Sequence, residues 1–250
     1  MTGDCGFDPT TPNVARIYDY YLGGKDNYPA DREAGDKVLA ADPQVRPTLL
    51  ANRSFLGRVV RYLAADAGIS QFIDLGTGLP TRHNVHQVAQ AANPDARVVY
   101  VDYDPVVLAH ARALLAKDDA TTVIEADLRR PAGVLSDPGL RQMIDITQPV
   151  AVLMFAILHF VGRDEGATRI IADYRDAVAP GSYLALSLGT TDGVDPAKIA
   201  RMQEIYQNVT AQLTYRSRAE IMGLFEGFGL VEPGLVRLPQ WRPDPRHPPR

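Results

Sequence analysis

Among 250 residues there is one cysteine, Cys5. An intramolecular disulfide is therefore excluded, as is any site that needs several thiolates, and the usage fits a reducing compartment. No apolar run reaches the length needed to cross a bilayer, and Met1 to Asp8 carries neither a basic nor an apolar leader segment. The expected location is cytoplasmic. An excess of positive charge is also missing: 26 Lys and Arg stand against 30 Asp and Glu, a formal charge of −4. No global field then favours nucleic acid or an anionic membrane, and the expected partner is a small molecule. The length suits one α/β domain with an appendage and is sufficient to bury a sizeable core.

The first 12 residues are polar, with Gly and Pro. Helical periodicity then begins, with Val14, Ile17, Tyr18, Tyr21 and Leu22 on one face and Gly23-Gly24 as a stop. Two further helices are expected, over Pro29 to Ala41 and from Arg46 to about Ala67. After this helical cap region, residues 1–67, the pattern changes to alternating strands and helices over 68–241, the mark of βαβ units and a mostly parallel sheet. Strands are expected at Gln71–Leu75, Arg97–Val101, Thr121–Ala126, Pro149–Phe155 and Tyr183–Leu188. Helices are expected from Asp104-Pro105, over Asp164 to Val178, over Asp195 to about Leu213, and from the capping box Ser217 to Glu220. Leu230-Val231 and Leu235 to Leu238, around Pro233-Gly234, are expected to close the sheet as an antiparallel hairpin. The proline-rich, basic tail, 242–250, is expected to be disordered.

The chemistry gathers around Asp74-Leu-Gly-Thr-Gly-Leu-Pro-Thr81. An apolar strand ends there on a carboxylate and breaks into Gly76 and Gly78, which allow a tight turn and close approach of backbone to a ligand. Pro80 is placed to start the next helix. Two later strands end in the same way, on Asp102 and Asp127. In a parallel sheet these ends share the edge where open α/β folds bind ligands. Asp102 lies 26 residues beyond Gly76, near the spacing at which an acid reaches ribose hydroxyls, and a carboxylate can accept two bonds from a vicinal diol. An adenosine-containing ligand follows: either a dinucleotide or S-adenosylmethionine. Against the dinucleotide, the third glycine of its loop pattern is replaced by Thr81, and no second nucleotide-binding half follows.

Asp74-Leu-Gly-Thr-Gly78, Val101-Asp-Tyr-Asp-Pro105, Glu125-Ala-Asp127, the apolar fourth strand and Ala179-Pro-Gly-Ser-Tyr183 resemble the ordered motifs of class I, Rossmann-like S-adenosylmethionine-dependent methyltransferases. Ala15 to Asn27, Ala51-Asn-Arg-Ser-Phe-Leu56, Gly76 to Thr81 and Glu226 to Leu235 are similar to an actinobacterial methyltransferase family long carried as a domain of unknown function. The resemblance implies S-adenosyl-L-methionine as cofactor, with Gly76 and Gly78 along its methionine and ribose portion. Asp102 would hold the ribose hydroxyls, and Asp127 with Leu128 would meet the adenine edge. Arg53 would pair with the cofactor carboxylate, as in carboxyl methyltransferases of the leucine-carboxyl type. Tyr21 and Lys25 would close the site. Asp74, Tyr103, Phe155 and Ala156, within the same motifs, complete the cofactor-binding set.

On the acceptor side, Phe155-Ala-Ile-Leu-His-Phe160 follows the fourth strand and offers His159 as a base, the alternative being a packed structural histidine. No Pro-Pro-aromatic element of amine-modifying nucleic-acid enzymes follows that strand, and no cysteine lies near it. The expected activity is methyl transfer to a small molecule, at oxygen before nitrogen. A cofactor-binding module without turnover and a dinucleotide oxidoreductase are the other readings. No metal site is expected. The acceptor and the oligomeric state are not written in the sequence.

Overall fold

The computed structural model describes residues 8–81, 83–115 and 119–244. Cys5 and the tail beyond Asp244 lie outside them. The described chain forms an α/β fold in which five parallel strands are ordered β3-β2-β1-β4-β5. Three helices come first: α1 (Val14–Tyr21), α2 (Pro29–Ala41) and α3 (Val45–Ala65). The alternating part follows as β1 (Gln71–Leu75), α4 (Val85–Ala92), β2 (Arg97–Asp102), α5 (Pro105–Leu114), β3 (Thr121–Glu125), α6 (Pro131–Ser136), α7 (Pro138–Met143), β4 (Ala151–Phe155), α8 (Ala167–Ala177) and β5 (Tyr183–Ser187). Last come α9 (Pro196–Tyr206) and α10 (Arg218–Gly223).

Strand β1 is central. Phe72 stands opposite Val98 of β2 on one side and Ala151 of β4 on the other. The chain runs outward from β1 through β2 to β3, then returns to β4 and runs out to β5, so its direction of winding reverses between β1 and β4. A crevice opens at the carboxyl ends of strands where the winding reverses in this way. Strand residues alternate between two apolar faces. Ile73, Leu75, Val99, Val101, Val152 and Met154 pack with α6, α7 and α8. Phe72, Val98, Tyr100, Leu153 and Phe155 pack with α3 and α4. Each such side chain contributes about 1.5–3 kcal/mol on full burial.

The helical cap is fastened to that sheet edge by polar contacts. Asn13 accepts from the Ala15 and Arg16 N–H groups as N-cap of α1, and its amide donates to Asp104, itself the N-cap of α5. Asp31 of α2 is wholly buried and ion-paired to Arg16 at 2.8 Å, and it also accepts from the Asn13 and Tyr28 N–H groups. Asp19 accepts from Asp26 N–H and from the Asn27 amide, so the Gly23-Gly-Lys-Asp-Asn27 loop is folded back around one carboxylate.

Three expectations are corrected. Pro80 starts no helix; α4 begins at Val85, where Asn84 and Gln87 form a capping box. Among the described residues no strand occurs beyond β5, so the expected hairpin is an irregular segment whose turn is closed by Gly234 N–H to Val231 carbonyl at 2.7 Å. Its backbone is held by arginines in place of a ladder: Arg218 donates to Leu235 carbonyl, and Arg58 of α3 to those of Leu238 and Trp241. Finally, the helices α6 and α7 stand where the sequence suggested no element.

Candidate functional site

The crevice begins at the glycine turn after β1. Gly76 and Gly78 both have positive φ, +72° and +65°, which favours glycine. A Cβ on Gly76 would lie 2.4 Å from Ile157 Cγ1, so β1 and the segment after β4 approach as closely as a glycine permits; around Gly78 a Cβ would meet nothing within 4 Å. Asp102, the last residue of β2, accepts from the Gly78 N–H at 2.9 Å and from the Tyr103 and Asp104 N–H groups at 2.8 and 3.0 Å. Burial pushes its carboxyl up, and those backbone bonds offset part of the effect.

Asp74 lies one residue before the end of β1, 7% exposed, on the face covered by α3. Its carboxyl is pushed up to about 7, first by burial, with Arg53 pulling the other way and Asp102 adding to the rise. No hydrogen bond to its carboxylate from a described side chain is present. Arg53 donates to the His83 carbonyl at 3.0 Å, which brings the guanidinium over the turn between β1 and α4. Arg53, Asp74, Gly76, Gly78 and Asp102 thus share one wall.

Asp127 falls two residues past β3. Both of its oxygens are held by Arg129, at 2.7 to 3.0 Å, so its carboxyl lies below the usual range although burial alone would raise it. Arg129 also pairs with Glu165 and lies 5.8 Å from the Tyr103 ring centroid. Tyr103 is half exposed, and Leu128 is buried with its carbonyl accepting from the Tyr174 hydroxyl at 3.1 Å. The expected adenine-edge residues are adjacent, but the free acid among them is already engaged.

At the end of β4, Ala156 is a non-glycine residue with φ +52°. Such a backbone costs on the order of 1–3 kcal/mol and persists where the surroundings over-determine it. Here the Ala156 N–H is shared between the carbonyl and hydroxyl of Ser187, each at 3.0 Å. The Ser187 hydroxyl donates to Asn52 Oδ1 at 2.6 Å, and Asn52 Nδ2 donates to the Tyr18 hydroxyl at 3.2 Å. Sequence reasoning missed Tyr18, Asn52 and Ser187; the available signal was the position of Asn52 beside Arg53. Phe155 is buried edge-to-face against Phe55, with centroids 5.6 Å apart.

His159 lies in a 3-10 turn, Leu158–Phe160. Its Nδ1 is enclosed without a hydrogen-bond partner among the described residues, and burial, aided by Arg216, lowers its pKa to about 4. It is a neutral imidazole at pH 7. Ala156, His159 and Ser187 are among the residues that line a cavity of about 980 Å³. Tyr21, by contrast, is buried among Ile17, Val38 and Tyr206, its hydroxyl 3.5 Å from the Gly35 carbonyl. Lys25 is exposed at the loop surface. The structure brings neither into contact with the glycine turn. Among the described residues no group of three or more His, Cys, Asp or Glu is placed to hold a metal ion, and no helix is long and apolar enough to cross a membrane.

Comparison with known proteins gives this crevice a family. A solved structure of a candidate methyltransferase from Thermobifida fusca is 46% identical, with a TM-score of 0.90 over 98% of this chain and 91% of that one. A DUF574 family protein from Streptomyces avermitilis is 43% identical, with a TM-score of 0.91 over 95% of this chain and 91% of that one. A candidate S-adenosyl-L-methionine-dependent methyltransferase of Mycobacterium marinum is 27% identical over 225 residues, 85% of this chain and 66% of that relative. This chain therefore spans just under two thirds of that relative's length. A family model described as S-adenosyl methyltransferase matches residues 3–250, and the chain belongs to that family, whose cofactor is S-adenosylmethionine.

Proposed function

We propose that this chain transfers the methyl group of S-adenosylmethionine to an oxygen of a small acceptor molecule. The observation that carries the reading is an adjacency: the glycine turn tied to Asp102 lies against Ile157, and the neighbouring Ala156, with Ser187, lines a cavity of about 980 Å³. The residues suit the cofactor. Gly78 leaves open space where a Cβ would stand, and Asp74 is a buried acid with a cationic neighbour and, among the described residues, no side-chain hydrogen-bond donor to its carboxylate. Bound there, S-adenosylmethionine supplies an electrophilic methyl group on a sulfonium.

In this reading Arg53 takes the cofactor's carboxylate and Asp74 its positive charge, while Asp102 turns its remaining acceptor capacity to the ribose. Tyr103, Asp127 and Leu128 border the adenine, with Phe155 and Ala156 behind the reacting carbon. An in-line displacement gains chiefly from positioning. A base is most effective with a pKa near the working pH, and His159 lies well below it. An acceptor that arrives ionised, or loses its proton to water, therefore fits better than one dependent on His159. The test is labelled-methyl transfer from S-adenosylmethionine into a small-molecule extract, with the labelled product identified. Incorporation through oxygen is expected. Tight cofactor binding with no incorporation into any extract overturns the reading.

A further inference from the structure

A hydrogen-bond chain runs from the carboxyl edge of the sheet to the helical cap, through Ala156 after β4, Ser187 at the end of β5, Asn52 of α3 and Tyr18 of α1. Its direction is set at the sheet end, because the Ala156 N–H can only donate. Ser187 Oγ accepts that bond and passes its own proton to Asn52 at 2.6 Å, a length that suits O–H···O and is too short for N–H···O. The Asn52 carbonyl oxygen therefore faces Ser187, and its amide nitrogen faces Tyr18, where 3.2 Å suits N–H···O. Tyr18 Oη thus accepts from Asn52, so its own proton is turned away from the chain. No group among the described residues accepts that proton.

A cation stands beside this outward donor. Arg53 follows Asn52 on α3 and reaches over the glycine turn to the His83 carbonyl. Its charge acts on the Tyr18 hydroxyl and on the Asp74 carboxyl alike. Burial holds the Tyr18 hydroxyl above its ordinary pKa against the Asn52 bond and the Arg53 charge, so Tyr18 is a protonated donor at pH 7. A cationic group would be repelled by Arg53, and another donor would set two protons against each other. A carboxylate answers both: it carries the opposite charge, and its oxygens offer about four acceptor sites, of which a guanidinium fork fills only two.

We propose that Tyr18 is a binding residue for the carboxylate of S-adenosylmethionine, donating its hydroxyl proton beside the Arg53 guanidinium. That the anion belongs to the cofactor rests on the place given to Arg53 above; the outward donor rests on the chain from Ala156 alone. Through Asn52 and Ser187 the same contact joins α1 of the cap, the cofactor and the left-handed backbone of Ala156.

Two ligands separate this contact from a structural role: S-adenosylhomocysteine, which carries the carboxylate, and 5′-methylthioadenosine, which lacks the amino-acid portion. Both are titrated by calorimetry into the full chain. Tyr18→Phe keeps the ring and loses the proton; it is expected to weaken S-adenosylhomocysteine about tenfold, the value of a bond to a charged group, and to leave methylthioadenosine within about twofold. Asn52→Asp keeps the Ser187 bond but offers Tyr18 an acceptor, which turns the proton inward. The same selective loss is expected, and Tyr18→Phe added to Asn52→Asp is expected to cost little more. An equal loss for both ligands makes Tyr18 structural and overturns the proposal, as does unchanged S-adenosylhomocysteine affinity in Tyr18→Phe, or additive losses in the double variant. If Tyr18→Phe does not fold, the ratio of the two affinities in Asn52→Asp decides. Arg53→Gln tests the reading beneath. A selective loss there with none in Tyr18→Phe overturns the Tyr18 contact and leaves Arg53 in its place; the converse overturns the place of Arg53 alone.

Discussion

The Asp102 carboxylate accepts the Gly78 N–H at 2.9 Å, so the end of β2 and the turn after β1 form one unit. The same carboxylate fixes the two residues that follow it. In the proposed reading Asp102→Ala removes a ligand for the ribose and loosens the loop that would meet the methionine portion. Calorimetry with S-adenosylmethionine is expected to read a loss of about 10- to 100-fold, since hydrogen bonds to a charged group are worth about 1.5–3 kcal/mol each. Unchanged affinity would place the cofactor elsewhere.

In the proposed reading Asp74 is expected to make cofactor binding depend on pH. Its folded-state pKa, about 7, lies above its ordinary value of 3.8, so the stability it contributes is present below 3.8 and is lost as pH rises through about 7. A cation beside it favours the ionised form. Affinity for S-adenosylmethionine is thus expected to rise between about pH 6 and pH 8, and Asp74→Asn to flatten that profile. Titrations at a series of pH values in one buffer system check both.

His159 shifts the other way. Its folded-state pKa, about 4, lies below the ordinary 6.5, so its contribution is present above 6.5 and is lost as pH falls toward 4. His159→Phe is expected to stabilise the protein at about pH 5 relative to pH 8 by on the order of 2 kcal/mol compared with the unmodified chain. Urea denaturation at the two pH values measures it. Cofactor affinity is expected to stay the same.

The two glycines of the turn are expected to fail differently. In Gly76→Ala the new methyl meets Ile157 as well as an unfavourable φ, so folding stability falls by about 2 kcal/mol or more. In Gly78→Ala the methyl meets no atom of the described residues within 4 Å and projects into open space. Stability is expected to fall by only about 1 kcal/mol, while cofactor affinity falls much further. Melting curves with and without S-adenosylhomocysteine separate the two losses.

Much of this site is legible in the chain order, because Asp74, Asp102 and Asp127 each follow a β-branched or apolar run and a parallel sheet must bring such ends together. What the sequence conceals is competition among local signals. Pro80 offers a helix start, yet Asn84 and Gln87 satisfy two backbone donors reciprocally and set the start at Val85. Leu230-Val231 and Leu235 to Leu238 around Pro233-Gly234 read as a hairpin, but arginines from α3 and α10 claim carbonyls there. The Ser187 to Asn52 bond joins residues 135 positions apart, and no local pattern announces such a pair.

Trp241 is the only tryptophan in the chain. Its ring stands edge-on to Phe55 and Tyr62 of α3, with centroids 5.7 Å away in both cases, and its carbonyl accepts from Arg58 of that helix. Arg53 and Asn52 belong to the same helix. The lone indole is thus clamped to the helix that carries both residues, and its emission is expected to report, without a label, any ligand-dependent change in that contact.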